Sequence, residues 1–326
     1  MSTLDFEKPI IELEAKIKEL AVFNADQKIK LEPELKKLSD KLDKMKIEIY
    51  SNLSVWQRIQ IARHSQRPYT RDYIRMMMQD FVEIRGDREF ADDAALIGGF
   101  ARIDDINVMV LGHQKGRDTK ENLMRNFGCA HPEGYRKAMR LMRLAEKFNL
   151  PVVIFIDTPG AYPGIGAEER GQAQAIASNL CDMTRLTVPI VATVIGEGGS
   201  GGAIGIGVAN KVFILQHSYY SVISPEGCAS ILWRNAVKAP LAAEALKITG
   251  EHLVRFGIVD DVIPEPLEGA HKDPEFVATH LKKVILESIR ELNQLSEKEL
   301  LDQRYNKFRQ MGVFNEPQKK QTPSSG

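Results

Sequence analysis

The chain has 326 residues, 43% of them apolar, and 44 Lys plus Arg balance 44 Asp plus Glu. That is enough chain for one large domain with helical additions, or for two ordinary domains, and enough apolar content for a substantial core. The even charge gives no electrostatic reason to expect nucleic acid or an acidic membrane as the main partner.

The opening stretch MSTLDFEKPI has no basic segment followed by an apolar one, so no secretory signal is predicted and a cytoplasmic setting is expected. No apolar run reaches the roughly 18 residues that a membrane span needs. Cys129, Cys181 and Cys228 are far apart and form no C-x-x-C pair, which fits a reduced protein without a thiolate metal site. The histidines are equally scattered, and no metal is expected in this chain.

Leu31, Leu35, Leu38, Leu42, Met45 and Ile49 alternate steps of four and three, a heptad seam, and Leu13, Ile17 and Leu20 make a shorter one before it. Pro33 suits the first turn of the second helix. Residues 1–54 are therefore expected to form an antiparallel helical hairpin that packs on the rest of the chain or on a partner. Residues 55–85 form a connecting helical region that mixes Arg58, Arg63, Arg67 and Arg71 with Trp56, Tyr69 and Tyr73. Such a mixture suits an anionic ligand, or a solvated helix face with its aromatics packed.

Apolar runs at 98–103 and 106–111 flank Asp104-Asp105, a predicted hairpin turn. A helix is expected over 132–148, then a doubly buried strand at 151–156 and a helix over 167–183. A second buried strand at 188–195, a small-residue helix at 201–210 and strands at 212–215 and 219–223 follow. This alternation implies an α/β fold with crossovers around a mostly parallel sheet, here assigned to residues 86–268. Residues 269–314 read as helices, with Leu281, Val284, Ile285, Ile289, Leu292 and Leu295 on one face, and 315–326 as a disordered tail.

Two glycine-rich corners each follow a buried strand and precede a helix. The first runs Asp157-Thr158-Pro159-Gly160-Ala161-Tyr162-Pro163-Gly164-Ile165-Gly166, the second Gly196-Glu197-Gly198-Gly199-Ser200-Gly201-Gly202-Ala203. Ligands of parallel sheets sit at the carboxyl ends of the strands, where both corners fall. Without side chains, backbone N–H groups can approach a ligand closely. A helix opening near Gly201 would add unpaired donors and partial positive charge. Together these make a cup for an oxygen that gains negative charge. The competing reading is a tight turn with close helix–sheet packing.

Several familiar patterns overlap here. Gly196-x-Gly198-x-x-Gly201 matches a dinucleotide fingerprint, but the region about 20 residues on holds His217, Ser218, Tyr219 and Tyr220 and no carboxylate. Gly198-x-Ser200-x-Gly202 matches a serine-hydrolase elbow, for which Asp260 or Asp261 with His271 would have to complete the triad. Asp157-Thr158-Pro159-Gly160 is like a GTPase switch element, yet the chain has no Gly-Lys dipeptide for a P-loop.

Longer blocks are more specific. They are WQRIQIARHSQRPYT at 56–70, FGCAHPEGYRKAMRLM at 127–142, IDTPGAYPGIGAEERGQ at 156–172, VIGEGGSGGAIGIG at 194–207 and YSVISPEGCASILW at 220–233. They resemble the alpha subunits of bacterial and plastid acetyl-CoA carboxylase carboxyltransferases, and the likeness runs from about Leu4 to Gly312. The resemblance implies a crotonase-type fold of stacked ββα units with helical extensions. It implies an alpha2beta2 assembly whose beta subunit carries a zinc ribbon and most of the acetyl-CoA site. It also implies biotin attached to a biotin carboxyl carrier protein, and a separate biotin carboxylase that uses ATP. In the implied reaction, carboxyl transfer to acetyl-CoA leaves negative charge on the biotin ureido oxygen. Backbone N–H groups of Gly201, Gly202 and Ala203 would form the oxyanion hole for it. Gly198, Gly199, Ser200, Gly160, Ala161, Tyr162, Gly164 and Gly166 would line the biotin or substrate pocket. Freed biotin serves as base in this scheme, so no strong protein acid or base is required. Lys115 and Arg117 are candidates for CoA phosphates, or plain loop charges. Glu197 is a structural carboxylate, or the general base of the alternative, a stand-alone enoyl-CoA hydratase or isomerase of the same fold.

Overall fold

The computed structural model describes residues 4–27 and 32–313, with the backbone alone for 24–27. Leu31 of the heptad seam and the 315–326 tail lie outside the described residues. Helices α1 (Lys8–Gln27) and α2 (Glu32–Ser51) form the amino-terminal pair, with Pro33 in the first turn of α2. Leu35, Leu38, Leu42, Met45 and Ile49 are half-buried, and Leu42, Met45 and Ile49 pack against Ile10, Tyr50, Leu53 and Ile61. The pair is tied down by Tyr50, which donates to Glu7 at 2.7 Å, and by Lys46, which donates to Glu268 at 3.2 Å.

Helices α3 (Val55–Ala62) and α4 (Thr70–Met77) lead into β1 (Gln79–Glu83). β1 was not anticipated. It is an edge strand with two of five residues half-buried and none buried, so it carries little alternation for a sequence pattern to show. β2 (Leu96–Ile103) and β3 (Ile106–His113) form the expected hairpin, with Asp104 in the left-handed region at its tip. Helices α5 (Thr119–Met124) and α6 (Pro132–Lys147) precede β4 (Val152–Thr158). The helix expected over 167–183 is broken by left-handed Gly171 into α7 (Ile165–Glu169) and α8 (Gln172–Met183).

β5 (Ile190–Gly199) is longer than expected, and α9 (Ser200–Ile204) is far shorter. Residues 197–199 are extended because they pair with neighbouring strands. Gly198 lies opposite Thr158 of β4, and residues 197–199 pair with β7 (Tyr219–Ser221). A five-residue helix has little macrodipole, so the electrostatic part of the argument shifts from the helix to individual bare peptide groups. β6 (Lys211–Leu215), α10 (Pro225–Trp233), α11 (Ala239–Leu246), α12 (Gly250–Arg255) and β8 (Asp261–Ile263) complete the body. Helices α13 (Pro274–Leu292) and α14 (Glu297–Arg309) close the chain.

Among the described residues the strands form one eight-stranded sheet in the order β1-β2-β3-β4-β5-β6-β8, with β7 beside β5. It is parallel from β3 onward. Strand alternation divides the core in two. Met109, Leu111, Ile154, Ile156, Ala192 and Val194 face α6, α8 and α9, while Val108, Val110, Val153, Phe155, Val191 and Ile195 face α4 and α13. With both faces covered, every residue of β4 and β5 is buried, which is why they read as continuous apolar runs. Among the described residues no helix is long and apolar enough to cross a membrane.

Candidate functional site

The carboxyl ends of β4 and β5 lie side by side, so the two glycine corners touch. The contact is backbone against backbone. A Cβ on Gly199 would lie 2.1 Å from the Pro159 carbonyl oxygen, and one on Gly202 would lie 2.5 Å from the Gly160 carbonyl carbon and 2.7 Å from the Ala161 nitrogen. The first corner is held by Thr158, whose hydroxyl donates to the Gly160 carbonyl at 2.7 Å. Tyr162 stacks on His131 with ring centres 4.1 Å apart, and its N–H donates to the Ala130 carbonyl. Gly164 packs under the Tyr162 ring, where a Cβ would meet the ring at 2.3 Å.

In the second corner Ser200 is exposed, Gly201 is half-buried, and Gly202 and Ala203 are buried. Ser200 sits at φ 51, a left-handed conformation uncommon for a residue with a Cβ. Gly201 and Gly202 open α9 and so have no acceptor within it, and among the described residues no other backbone hydrogen bond from their N–H groups is found. Beside Gly201 lies a cavity of about 440 Å³ lined mainly by Ile204, Tyr220, Val222, Leu253, Phe308 and Met311. The arrangement therefore offers unengaged N–H donors next to an apolar hollow.

Beneath both corners is a buried charge cluster. Lys115 bridges Asp157 of β4 at 2.7 Å and Glu197 of β5 at 2.8 Å. The other Glu197 oxygen accepts from Arg63 Nε at 2.7 Å and from the Tyr219 hydroxyl at 2.6 Å. Arg63 reaches on to Glu226 of α10 at 2.5 Å, and the Glu197 N–H donates to Asp157 at 2.9 Å. Burial by itself would raise the Glu197 carboxyl, but Lys115 and Arg63 outweigh it and hold the group at about 2. Burial works the other way on Lys115, and Asp157 and Glu197 override it to raise the ammonium above the ordinary lysine value. Tyr219 is pushed up by burial and by Glu197.

Glu197 is thus a locked carboxylate with three donors on its two oxygens. A general base needs a pKa near the working pH, and Glu197, held at about 2 and tied by charged donors on both oxygens, does not meet that need. Its structural reading fits this geometry, and the hydratase reading loses its base. The expected loop exposure of Lys115 is also corrected, because its ammonium points inward between two carboxylates. Arg117 donates to the carbonyls of Ser65 at 2.9 Å and Arg67 at 2.8 Å, pairs with Asp72, and lies over the Tyr69 ring at 4.0 Å. Neither side chain is free to meet a phosphate in this conformation.

Of the two expected readings of the basic and aromatic mixture before β1, the packed aromatics hold, with Tyr69 and Tyr73 buried, but the arginines are paired rather than simply solvated. Arg67 is fully buried and makes a bidentate pair with Glu265 at 2.6 and 2.5 Å, Arg71 pairs with Glu83, and Arg58 lies 3.5 Å from Glu251. Each arginine is tied to a carboxylate, and Arg67 alone is an internal strut. For the hydrolase reading, Asp260 accepts the Val212 N–H at 2.6 Å and pairs with Lys307, while His271 stacks on His64 at 4.0 Å. Among the described residues no histidine hydrogen-bonds the Ser200 hydroxyl. Nor is any group of three His, Cys, Asp or Glu side chains found there that could hold a metal ion.

Comparison with known proteins places these features in context. A family model described as acetyl co-enzyme A carboxylase carboxyltransferase-like matches residues 3–312. The acetyl-coenzyme A carboxylase carboxyl transferase subunit alpha of Methylococcus capsulatus is 58% identical over 314 residues, covering 96% of this chain and 98% of the relative. That of Idiomarina loihiensis is 59% identical over 314 residues, covering 96% and 99%. Among solved structures, transcarboxylase 12S matches 69% of this chain and 44% of its own at TM-score 0.52 and 21% identity. A Pseudomonas malonate decarboxylase hetero-tetramer matches 65% and 85% at TM-score 0.53 and 18% identity, a likeness of fold alone.

Proposed function

The chain belongs to the acetyl co-enzyme A carboxylase carboxyltransferase-like family, and we propose that its paired glycine corners are where it, as the alpha subunit, handles biotin. The fold is crotonase-like α/β with helical additions at both ends. The reaction moves the carboxyl group of carboxybiotin to acetyl-CoA to give malonyl-CoA for fatty acid synthesis. It is biotin-dependent and belongs to a complex with a beta subunit and a biotin carrier. An alpha2beta2 arrangement, zinc confined to the beta subunit, and ATP consumed by the biotin carboxylase component are the finer reading.

The carrying observation is the pair of unengaged N–H groups on Gly201 and Gly202 beside an apolar hollow. When bound, biotin supplies the carboxyl group and a ureido oxygen that becomes more negative as that group leaves. The Gly201 and Gly202 N–H groups, with Ala203 behind them, would hold that oxygen. Donors fixed in place before charge develops stabilise a transition state more than the ground state. Gly198, Gly199 and Ser200 would border the pocket on one side, and Gly160, Ala161, Tyr162, Gly164 and Gly166 on the other. The Lys115 cluster takes no proton in this scheme and holds β4 and β5 in register beneath the donors. Ile165 and Val222, each 80% exposed at the rim, leave an apolar border for the beta subunit to cover.

The test is co-expression with the beta subunit and an assay of malonyl-CoA formation from carboxylated carrier protein. Activity is expected from the complex and not from the chain alone. A folded, assembled Gly202→Val variant that still forms malonyl-CoA would leave the corners a packing device and the chain a scaffold.

A further inference from the structure

His113 ends β3, is completely buried, and has no hydrogen-bond partner on either ring nitrogen. One nitrogen of an imidazole always carries a proton, so the ring holds a buried donor with no acceptor, which native folds rarely tolerate without a reason. Strand alternation sets the ring on the face of Met109 and Leu111, the face that Ala203 and Ile206 also cover. There the Gly202 main-chain carbonyl lies near enough to act on the ring as an acceptor, although no hydrogen bond is closed in this conformation.

That carbonyl is an orphan too. In a continuing helix it would accept from the Ile206 N–H. Here the turn tightens: Ile206 N–H lies 3.4 Å from the Ala203 carbonyl, Gly205 N–H donates to Gly201 at 3.0 Å, and Gly207 N–H to Ile204 at 3.0 Å. Gly202 is skipped, and among the described residues no backbone donor reaches its carbonyl. A buried donor and a buried acceptor, each unsatisfied, thus lie near each other between β3 and α9. Burial, and the Lys115 charge nearby, push the imidazole down to about 3. The ring is neutral across the working range and serves as a donor that does not titrate.

We infer that His113 is a positioning residue whose ring N–H pairs with the Gly202 carbonyl and fixes, from the core side, the turn that presents the Gly201 and Gly202 N–H groups. The inference rests on the role proposed above for those groups. On its other side the turn is braced by the backbone of Gly160 and Ala161. Gly202 has no side chain of its own to hold it, so the ring is the clamp available to the turn. Donation to the Gly202 carbonyl also polarises the peptide it shares with Ala203 and sharpens the Ala203 N–H as a donor.

The test uses the complete carboxyltransferase and three variants, with Gly202→Val measured alongside. His113→Leu keeps the site filled and removes the donor, while His113→Asn and His113→Gln return an N–H near one ring nitrogen or the other. His113→Leu is expected to lower kcat for malonyl-CoA formation about tenfold or more, with KM for the carboxylated carrier nearly unchanged, and one amide variant should recover most of the loss. Histidine-selective 15N NMR is expected to show the His113 ring as one neutral tautomer to below about pH 5. The inference is overturned by wild-type kcat in a folded Leu variant, by a change carried wholly in KM, by no rescue from either amide, or by a ring that titrates near 6.5. If the Leu variant does not fold, the amide pair and the NMR decide. An active Gly202→Val would instead sink the underlying reading of the N–H groups, whereas an inactive one beside a normal His113→Leu sinks the His113 role alone.

Discussion

Replacing Glu197 with Gln imitates the protonated acid and tests the charge cluster directly. The carboxyl moves from an ordinary value of 4.5 to about 2 in the fold. By linkage that difference contributes roughly 3 kcal/mol to stability at neutral pH. The sign follows from the depression: the contribution is complete above about pH 5 and drains away as pH falls through 4.5 toward 2. Either way the amide turns, its NH2 meets Lys115 on one side or Arg63 and Tyr219 on the other, donor against donor. Glu197→Gln is therefore expected to lose roughly 3 kcal/mol at pH 7.5 in equilibrium urea unfolding, with less than half of that gap left at about pH 3. Equal stability at pH 7.5, or a gap that does not narrow on acidification, would refute the account of a locked carboxylate.

The remaining predictions concern neighbouring features. Gly202→Ala, in the assembled enzyme, should cut kcat for malonyl-CoA at least about 100-fold, because its Cβ would sit 2.5 Å from the Gly160 carbonyl carbon and displace the donors; near-normal turnover would count against the site. Arg67→Met strands the Glu265 carboxylate in a fully buried setting and should cost about 3–5 kcal/mol by denaturation, with much of the loss regained in Arg67→Met/Glu265→Leu. A double variant no better than the single one would show that the pair does not act as a unit. A fluorophosphonate probe should leave Ser200 unlabelled by mass spectrometry, and stoichiometric labelling would restore the hydrolase reading.

Most of the sheet was legible because its central strands are covered on both faces and so are apolar without interruption, as 151–156 and 188–195 show. What stayed hidden had physical reasons. β1 is an exposed edge. Residues 196–199, three of them glycine, read as a loop because glycine has no side chain to report pairing, yet they are strand. The charge cluster joins residues 134, 82 and 42 positions apart, and nothing local marks Arg63, Lys115 or Tyr219 as partners of one carboxylate. Lys115 and Arg117 read, on local grounds, as CoA phosphate contacts or plain loop charges, while their partners lie on other segments. His113 gave no signal at all, since a histidine ending an apolar strand is indistinguishable from an ordinary core residue. The residues of both glycine corners were named from the chain. What they touch was not, and the short α9 shows that a small-residue run did not imply a long helix.

Because Gly199 and Gly202 press on the opposite loop where side chains would otherwise stand, neither loop can be rebuilt with bulkier residues independently of the other. A chimera that imports one loop from a distant homologue with bulkier residues must import its mate as well. The two segments, some 40 positions apart, fit together as a single interlocking part.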